Sequence, residues 1–155
     1  ADIVGGETGR AISGNLVPHL ERELSRAARH GRSFSILSGR LHLSEPATPD
    51  LIAQLCERFA QQLRRHDVVA HDANRDLLVL LPETNPEQLP AVMAKLEKVS
   101  RGAAASGGSI VIDFGSASYP QNASTAPELL AKSRRELTSL SRRRETSRAG
   151  EVHHA

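Results

Sequence analysis

The sequence predicts a single α+β domain: a ferredoxin-like βαββαβ core whose antiparallel sheet is covered by flanking helices. Three observations carry that expectation. Helical apolar stripes and short apolar strand runs alternate in the order α-β-α-β-β-α-β-α. Two of the runs, 68–70 and 77–81, enclose a polar turn at 71–76, the pattern of a β-hairpin. The length of 155 residues suits one core and falls short of two.

Residues 1–13 are Gly-rich, lack periodicity and read as a linker. Asn15 is placed to cap a first helix in which Leu16, Leu20, Leu24, Ala27 and Ala28 form one stripe. Pro18 is tolerated in its first turn and Gly31 closes it. A strand follows over 33–43, with Phe34, Ile36 and Leu37, then Leu41 and Leu43 alternating with Arg40 and His42. Thr48 and Pro49 are a cap and a first helical position for a second helix over 50–65, whose buried stripe includes Leu55, Cys56, Phe59 and Leu63. After the hairpin, Asn85 and Gln88 have capping-box spacing and start a helix to about residue 100. Residues 101–108 read as a flexible loop and 109–119 as a strand. Thr125 and Glu128 form a second capping box, opening a last helix with Leu129, Leu130, Leu137 and Leu140 inward. The domain is expected over 14–141, and 142–155 is expected to be a basic, disordered tail.

Composition narrows the function classes. Apolar content is 39% and charged content 25%, ordinary for a globular domain. Aromatic residues make up only 3%, which argues against a stacking platform for single-stranded nucleic acid. A formal charge of +2 gives no case for nucleic acid, although basic residues gather at Arg134, Arg135 and 142–144. Cys56 is the single cysteine, so no internal disulfide forms, and a reducing cytoplasmic compartment is expected. No run is long enough to span a membrane. His66 and His71 have no acidic or thiol neighbour at ligand spacing, so no metal site is read there. The bare start at Ala1 suggests a piece of a longer protein.

The stretch RRHDVVAHDANRDLLVLLP, 64–82, resembles the GGDEF (diguanylate cyclase) family. In that family a helix ends in Arg-x-x-Asp, five residues follow, and the hairpin turn carries the Gly-Gly-Asp/Glu-Glu-Phe signature. Here Arg64 and Asp67 supply the Arg-x-x-Asp and 68–72 are the five spacers. The turn reads Ala73, Asn74, Arg75, Asp76, Leu77, and the strand resumes in family style as LVLLPET. The chain thus resembles a degenerate GGDEF domain that retains its product-binding motif, the I-site, over about 14–141.

The resemblance implies lost catalysis. Guanylyl transfer from GTP needs Mg²⁺ held by carboxylates. At the two family metal positions stand Arg40 and Arg75, and His42 takes the second acidic position of the first strand. A unit charge pair at ~4 Å and an effective dielectric near 20 is worth ~4 kcal/mol, so each exchange turns attraction for a cation into repulsion. Ala73 and Asn74 crowd the approach that glycines allow, the guanine-holding segment after the first strand is missing, and the expected helix lysine falls near Ser141. No catalytic residue, no cofactor and no Mg²⁺ are therefore expected. Arg40 and Arg75 either form an anion site together, or pair with Asp72 or Asp76, or simply face water.

The same resemblance implies a receptor for cyclic di-GMP at Arg64 and Asp67. An arginine fork bonds guanine or phosphate and stacks on a base, and a carboxylate can accept guanine N–H groups. Lys95 stands where the family adds a second arginine, and Arg65 or Lys98 is an alternative source of that charge. The expected partners are cyclic di-GMP, other domains of the same polypeptide or a partner protein, and a second copy through ligand-linked dimerisation. The main alternative is a dimerisation or scaffolding module that binds no nucleotide. A third reading binds GTP without turnover.

Overall fold

The computed structural model describes residues 8–43, 49–71, 76–102 and 110–154. In chain order the elements are β1 (Arg10–Ser13), α1 (Val17–His30), β2 (Phe34–Leu43), α2 (Pro49–Gln61), β3 (Val68–His71), β4 (Asp76–Pro82), a short 3-10 turn (Pro86–Gln88), α3 (Leu89–Gly102), β5 (Ile110–Tyr119) and α4 (Ala126–His154). The five strands form one sheet in the order β1-β3-β4-β2-β5. Each neighbouring pair among β3, β4, β2 and β5 is antiparallel, which is the expected βαββαβ core. β1 adds to its edge in parallel with β3, Arg10 opposite Val68 and Ser13 opposite His71.

Residues 1–7 of the linker expected over 1–13 lie outside the described residues, and the added strand corrects that expectation at Arg10–Ser13. Its four residues are too few to show a period-2 pattern, and the pairing comes from backbone groups that the sequence does not advertise. Arg10 N–H donates to Asp67 O at 3.0 Å, and Gly14 N–H to His71 O at 3.2 Å. Gly9 sits against the end of α2, where a Cβ would lie 2.9 Å from Asp67 O.

The two faces of the sheet carry separate apolar layers, as period-2 alternation requires. Leu37, Leu41, Val79, Leu81, Ile112 and Phe114 pack with Leu55, Phe59 and Leu96 under α2 and α3. Phe34, Ile36, Leu80 and Ala117 pack with Leu20, Ala27 and Leu129 under α1 and α4. Phe34 and Tyr119 stack at a centroid distance of 5.5 Å. Local signals behave as chemistry dictates. Gly31 ends α1 in the left-handed region at φ 63°, where a glycine avoids a Cβ clash. Asn15 accepts Val17 N–H at 3.0 Å, yet the cap position itself is Leu16, one residue later than expected. Asn85 and Gln88 form the reciprocal capping box, although on a 3-10 turn that leads into α3. Thr125 and Glu128 also bond reciprocally, at 3.3 Å and 2.8 Å. The second helix stops at Gln61, four residues short of the expected Arg65. Thr48 and residues 103–109 lie outside the described residues.

The second correction concerns the tail. α4 continues without a break to His154, where disorder was expected from residue 142. The segment has almost no apolar residues, so periodicity gives no signal, but Arg, Glu and Ala are strong helix formers. An ion pair between half-exposed Arg144 and buried Asp113 anchors its start. No helix of the described residues is long and apolar enough to cross a membrane.

Candidate functional site

After α2 the chain turns through Gln62 and Leu63, whose N–H groups reach Phe59 O and Ala60 O at 3.0 and 3.1 Å. Arg64 and Asp67 close the next turn. Asp67 N–H donates to Arg64 O at 2.9 Å, and Asp67 Oδ2 accepts Arg64 N–H at 2.8 Å. The Arg-x-x-Asp spacing is thereby a backbone-closing turn that delivers the chain into β3. Asp67 is only 3% exposed. Burial raises its pKa, against the opposing pull of the Arg64 N–H and guanidinium.

The Arg64 side chain crosses to the far end of β4. Its Nη2 donates to Pro82 O at 2.8 Å and to Thr84 Oγ1 at 2.6 Å, and its Nε stands 3.7 Å from Asp67 Oδ2. Thr84 is buried, and its own carbonyl accepts the Ser35 hydroxyl at 2.7 Å. The guanidinium is anchored on one edge while the side chain stays 59% exposed. Arg65 on the turn and Lys95 on α3 are both exposed, and among the described residues neither makes an ion pair or side-chain hydrogen bond. The structure thus brings Arg64 and Asp67 together as expected, but gives Asp67 almost no surface. Thr84, which fixes the guanidinium, was missed by sequence reasoning.

A second polar cluster occupies the other end of β4. Arg40 lies opposite Asp76 on one side and Asp113 on the other. Its Nε donates to Asp76 Oδ1 at 3.1 Å, with both side chains near 40% exposed. Of the expected arrangements for Arg40, pairing with Asp76 is the one observed, while Asp72 and Arg75 lie outside the described residues. Ala73, Asn74 and Arg75 lie outside the described residues, while Leu77 is buried opposite Gly39. A guanidinium only donates hydrogen bonds and cannot ligate a cation, so Arg40 does not fit a metal position. Among the described residues no group of three or more His, Cys, Asp or Glu side chains converges. Beside the pair, a cleft of about 620 Å³ is lined by Arg40, His71, Asp76, Arg134 and Thr138 together with the turn at Gly14 and Asn15.

Asp113 is the third feature, and the sequence reading passed over it. It is 7% exposed in the middle of β5, on the face covered by α4. His42 Nε2 lies 2.8 Å from its Oδ2. Arg144 grips both oxygens, Nε at 3.0 and 3.1 Å and Nη2 at 2.6 Å, and Ser141 Oγ donates to Oδ2 at 3.4 Å. Burial alone would raise this carboxyl's pKa; the Arg144 fork and His42 outweigh it and hold the value below the ordinary 3.8. One sequence signal could have exposed the cluster: an aspartate inside the apolar run SIVIDFGS needs a partner if buried, and the arginine run of the last helix can supply one.

No family model matches this chain, and no curated protein matches it. Solved structures do. The GGDEF domain of TpbB (YfiN) from Pseudomonas aeruginosa superposes with a TM-score of 0.70 at 21% identity, covering 81% of each chain. The diguanylate cyclase SiaD from the same organism, solved with its activator SiaC, gives 0.70 at 17% identity over 82% of this chain and 53% of SiaD. The coiled coil and GGDEF domain of DgcB from Caulobacter crescentus, solved with c-di-GMP, gives 0.62 at 12% identity over 82% and 74%. The chain has the GGDEF, nucleotidyl cyclase-like α+β fold, with β1 and a long α4 around its core.

Proposed function

We propose that this GGDEF-fold domain is a catalytically inactive receptor for cyclic di-GMP, and that ligand at the Arg64 turn changes its contacts with the rest of its polypeptide or with a partner. The observation that carries the reading is the Arg64 side chain: its guanidinium is anchored on one edge by Pro82 O and Thr84 Oγ1, yet the side chain as a whole is 59% exposed. A pre-oriented, half-free arginine loses little freedom when it stacks on a guanine or forks to a phosphate. Arg65 and Lys95 add exposed positive charge for the two phosphates. Asp67 acts as a positioning residue, holding the turn from beneath. Inactivity follows from charge: Arg40 stands at a family metal position, already paired with Asp76. One protein of this fold, DgcB, is known in complex with the same nucleotide, and another, SiaD, with a protein activator.

The burial of Asp67 favours a second reading, a scaffold that binds no nucleotide, because half of the motif is committed to the turn. Calorimetric titration separates the two. A receptor gives saturable heat with cyclic di-GMP and none with GTP/Mg²⁺, and no cyclic di-GMP forms on incubation with GTP. A scaffold gives no heat with either nucleotide, and its self-association in sedimentation runs is indifferent to both.

A further inference from the structure

α4 carries a charge distribution that the nucleotide reading does not use. Arg134, Arg135, Arg142 and Arg143 are all exposed, and none appears in an ion pair or side-chain hydrogen bond among the described residues. At 3.6 residues per turn the four spread over the outer half of the helix, while Leu130, Ser133, Leu137 and Arg144 turn toward the sheet. Thr138 and Ser139 lie between the two arginine pairs, so hydroxyls fill the gap. The pairs are eight residues apart in sequence, which is about 12 Å along the helix axis. Glu136 does not neutralise this face: it reaches sideways to Lys132 at 3.2 Å and to Ser116 N–H at 3.2 Å.

We propose that the outer face of α4 binds the phosphate backbone of double-stranded nucleic acid without reading its sequence. Guanidinium and hydroxyl groups are the side chains that contact phosphate, and among the described residues they are what this face presents between Arg134 and Arg143. A separation of about 12 Å matches the width of the duplex major groove, so the two pairs reach phosphates on opposite walls. The alternatives fit less well. A convex helix face does not enclose a small ligand. A helix lying in a membrane interface needs an apolar side opposite its cations, and the inner side of α4 is already spent on the sheet. With 3% aromatic residues the chain offers no stacking platform for single strands. The small net charge of +2, which argued against a nucleic-acid partner, conceals the segregation that folding produces.

The test is fluorescence anisotropy of a short labelled duplex of arbitrary sequence against the whole domain across a salt series. Four phosphate contacts give a slope of log K on log salt of about −3.6, or a roughly 150-fold loss between about 50 and 200 mM salt. The double variant Arg142→Ala/Arg143→Ala is expected to halve the slope to about −1.8. Both side chains are exposed, so its melting temperature should match the parent. Arg64→Ala should leave duplex binding unchanged, which keeps this inference separate from the receptor reading. No anisotropy change at low salt overturns it. So does binding that keeps its slope in the double variant, or capture by phosphatidylglycerol vesicles without capture by the duplex.

Discussion

Asp67 and Asp113 are both buried aspartates, and their surroundings drive them in opposite directions. Asp113 is held below its ordinary pKa by Arg144 and His42, against burial. Its stabilising contribution is therefore complete above about pH 3.8 and is lost as pH falls through the lower folded-state value. Asp67 is raised, chiefly by burial, so the folded state binds its proton more tightly than the unfolded chain does. Its contribution is most favourable below pH 3.8 and declines as pH rises through the raised value. Asp67→Asn keeps an oxygen for the Arg64 N–H and removes the buried charge. We expect the variant to match or exceed the parent in urea stability at neutral pH, and to keep cyclic di-GMP affinity within a few-fold. A loss of affinity comparable to that of Arg64→Ala would mean that the carboxylate itself touches ligand. The Arg-x-x-Asp spacing was legible in the sequence. The division of labour within it was not, because Asp67 is buried in the fold, where Arg10, distant in sequence, bonds its backbone oxygen.

Besides its apolar packing, α4 is fixed to the sheet by polar contacts of different kinds. Ser133 Oγ and Ser38 Oγ lie 2.7 Å apart in the core. Lys132 and Glu136 reach the outer edge of β5, bonding the carbonyl and the N–H of Ser116 at 2.7 and 3.2 Å. This covers part of an edge strand that would otherwise invite pairing. Arg144 then clamps Asp113. The close approach depends on Gly115, where a Cβ would press on Ser133 O and lie 2.5 Å from Leu137 N. Both are backbone atoms, so the helix itself would have to move. Gly115→Ala is expected to cost about 3 kcal/mol in chemical denaturation. Arg144→Ala should cost about 2 kcal/mol and lower amide protection selectively beyond Ser141, measurable by hydrogen exchange. The main elements were readable because their apolar stripes repeat at 2 or 3.6 residues. β1 and the last part of α4 were not, since one is held by backbone pairing and the other follows contacts from Ser141 and Arg144 to Asp113, about thirty residues away in sequence.

At the scale of the whole molecule, β4 separates two polar sites. Arg40–Asp76 lies at its start, and Pro82, which accepts Arg64, lies at its end. Seven residues of strand hold them about 20 Å apart. Changes at one end should therefore leave the other untouched: Arg40→Asp is expected to keep cyclic di-GMP affinity within twofold of the parent in the same titration. The sheet also places the exposed arginines of α4 on the face opposite α2 and α3, so nucleotide and polyanion need not compete. The most direct test of the receptor account is the ratio of cyclic di-GMP dissociation constants for the parent and Arg64→Ala by calorimetry, with Arg64→Lys as a folded control. Removing one forked contact worth about 1–3 kcal/mol predicts roughly 5- to 150-fold weaker binding in Arg64→Ala, with Arg64→Lys between the two. Equal affinities in all three proteins, or no heat from the parent at any ligand concentration, would contradict it.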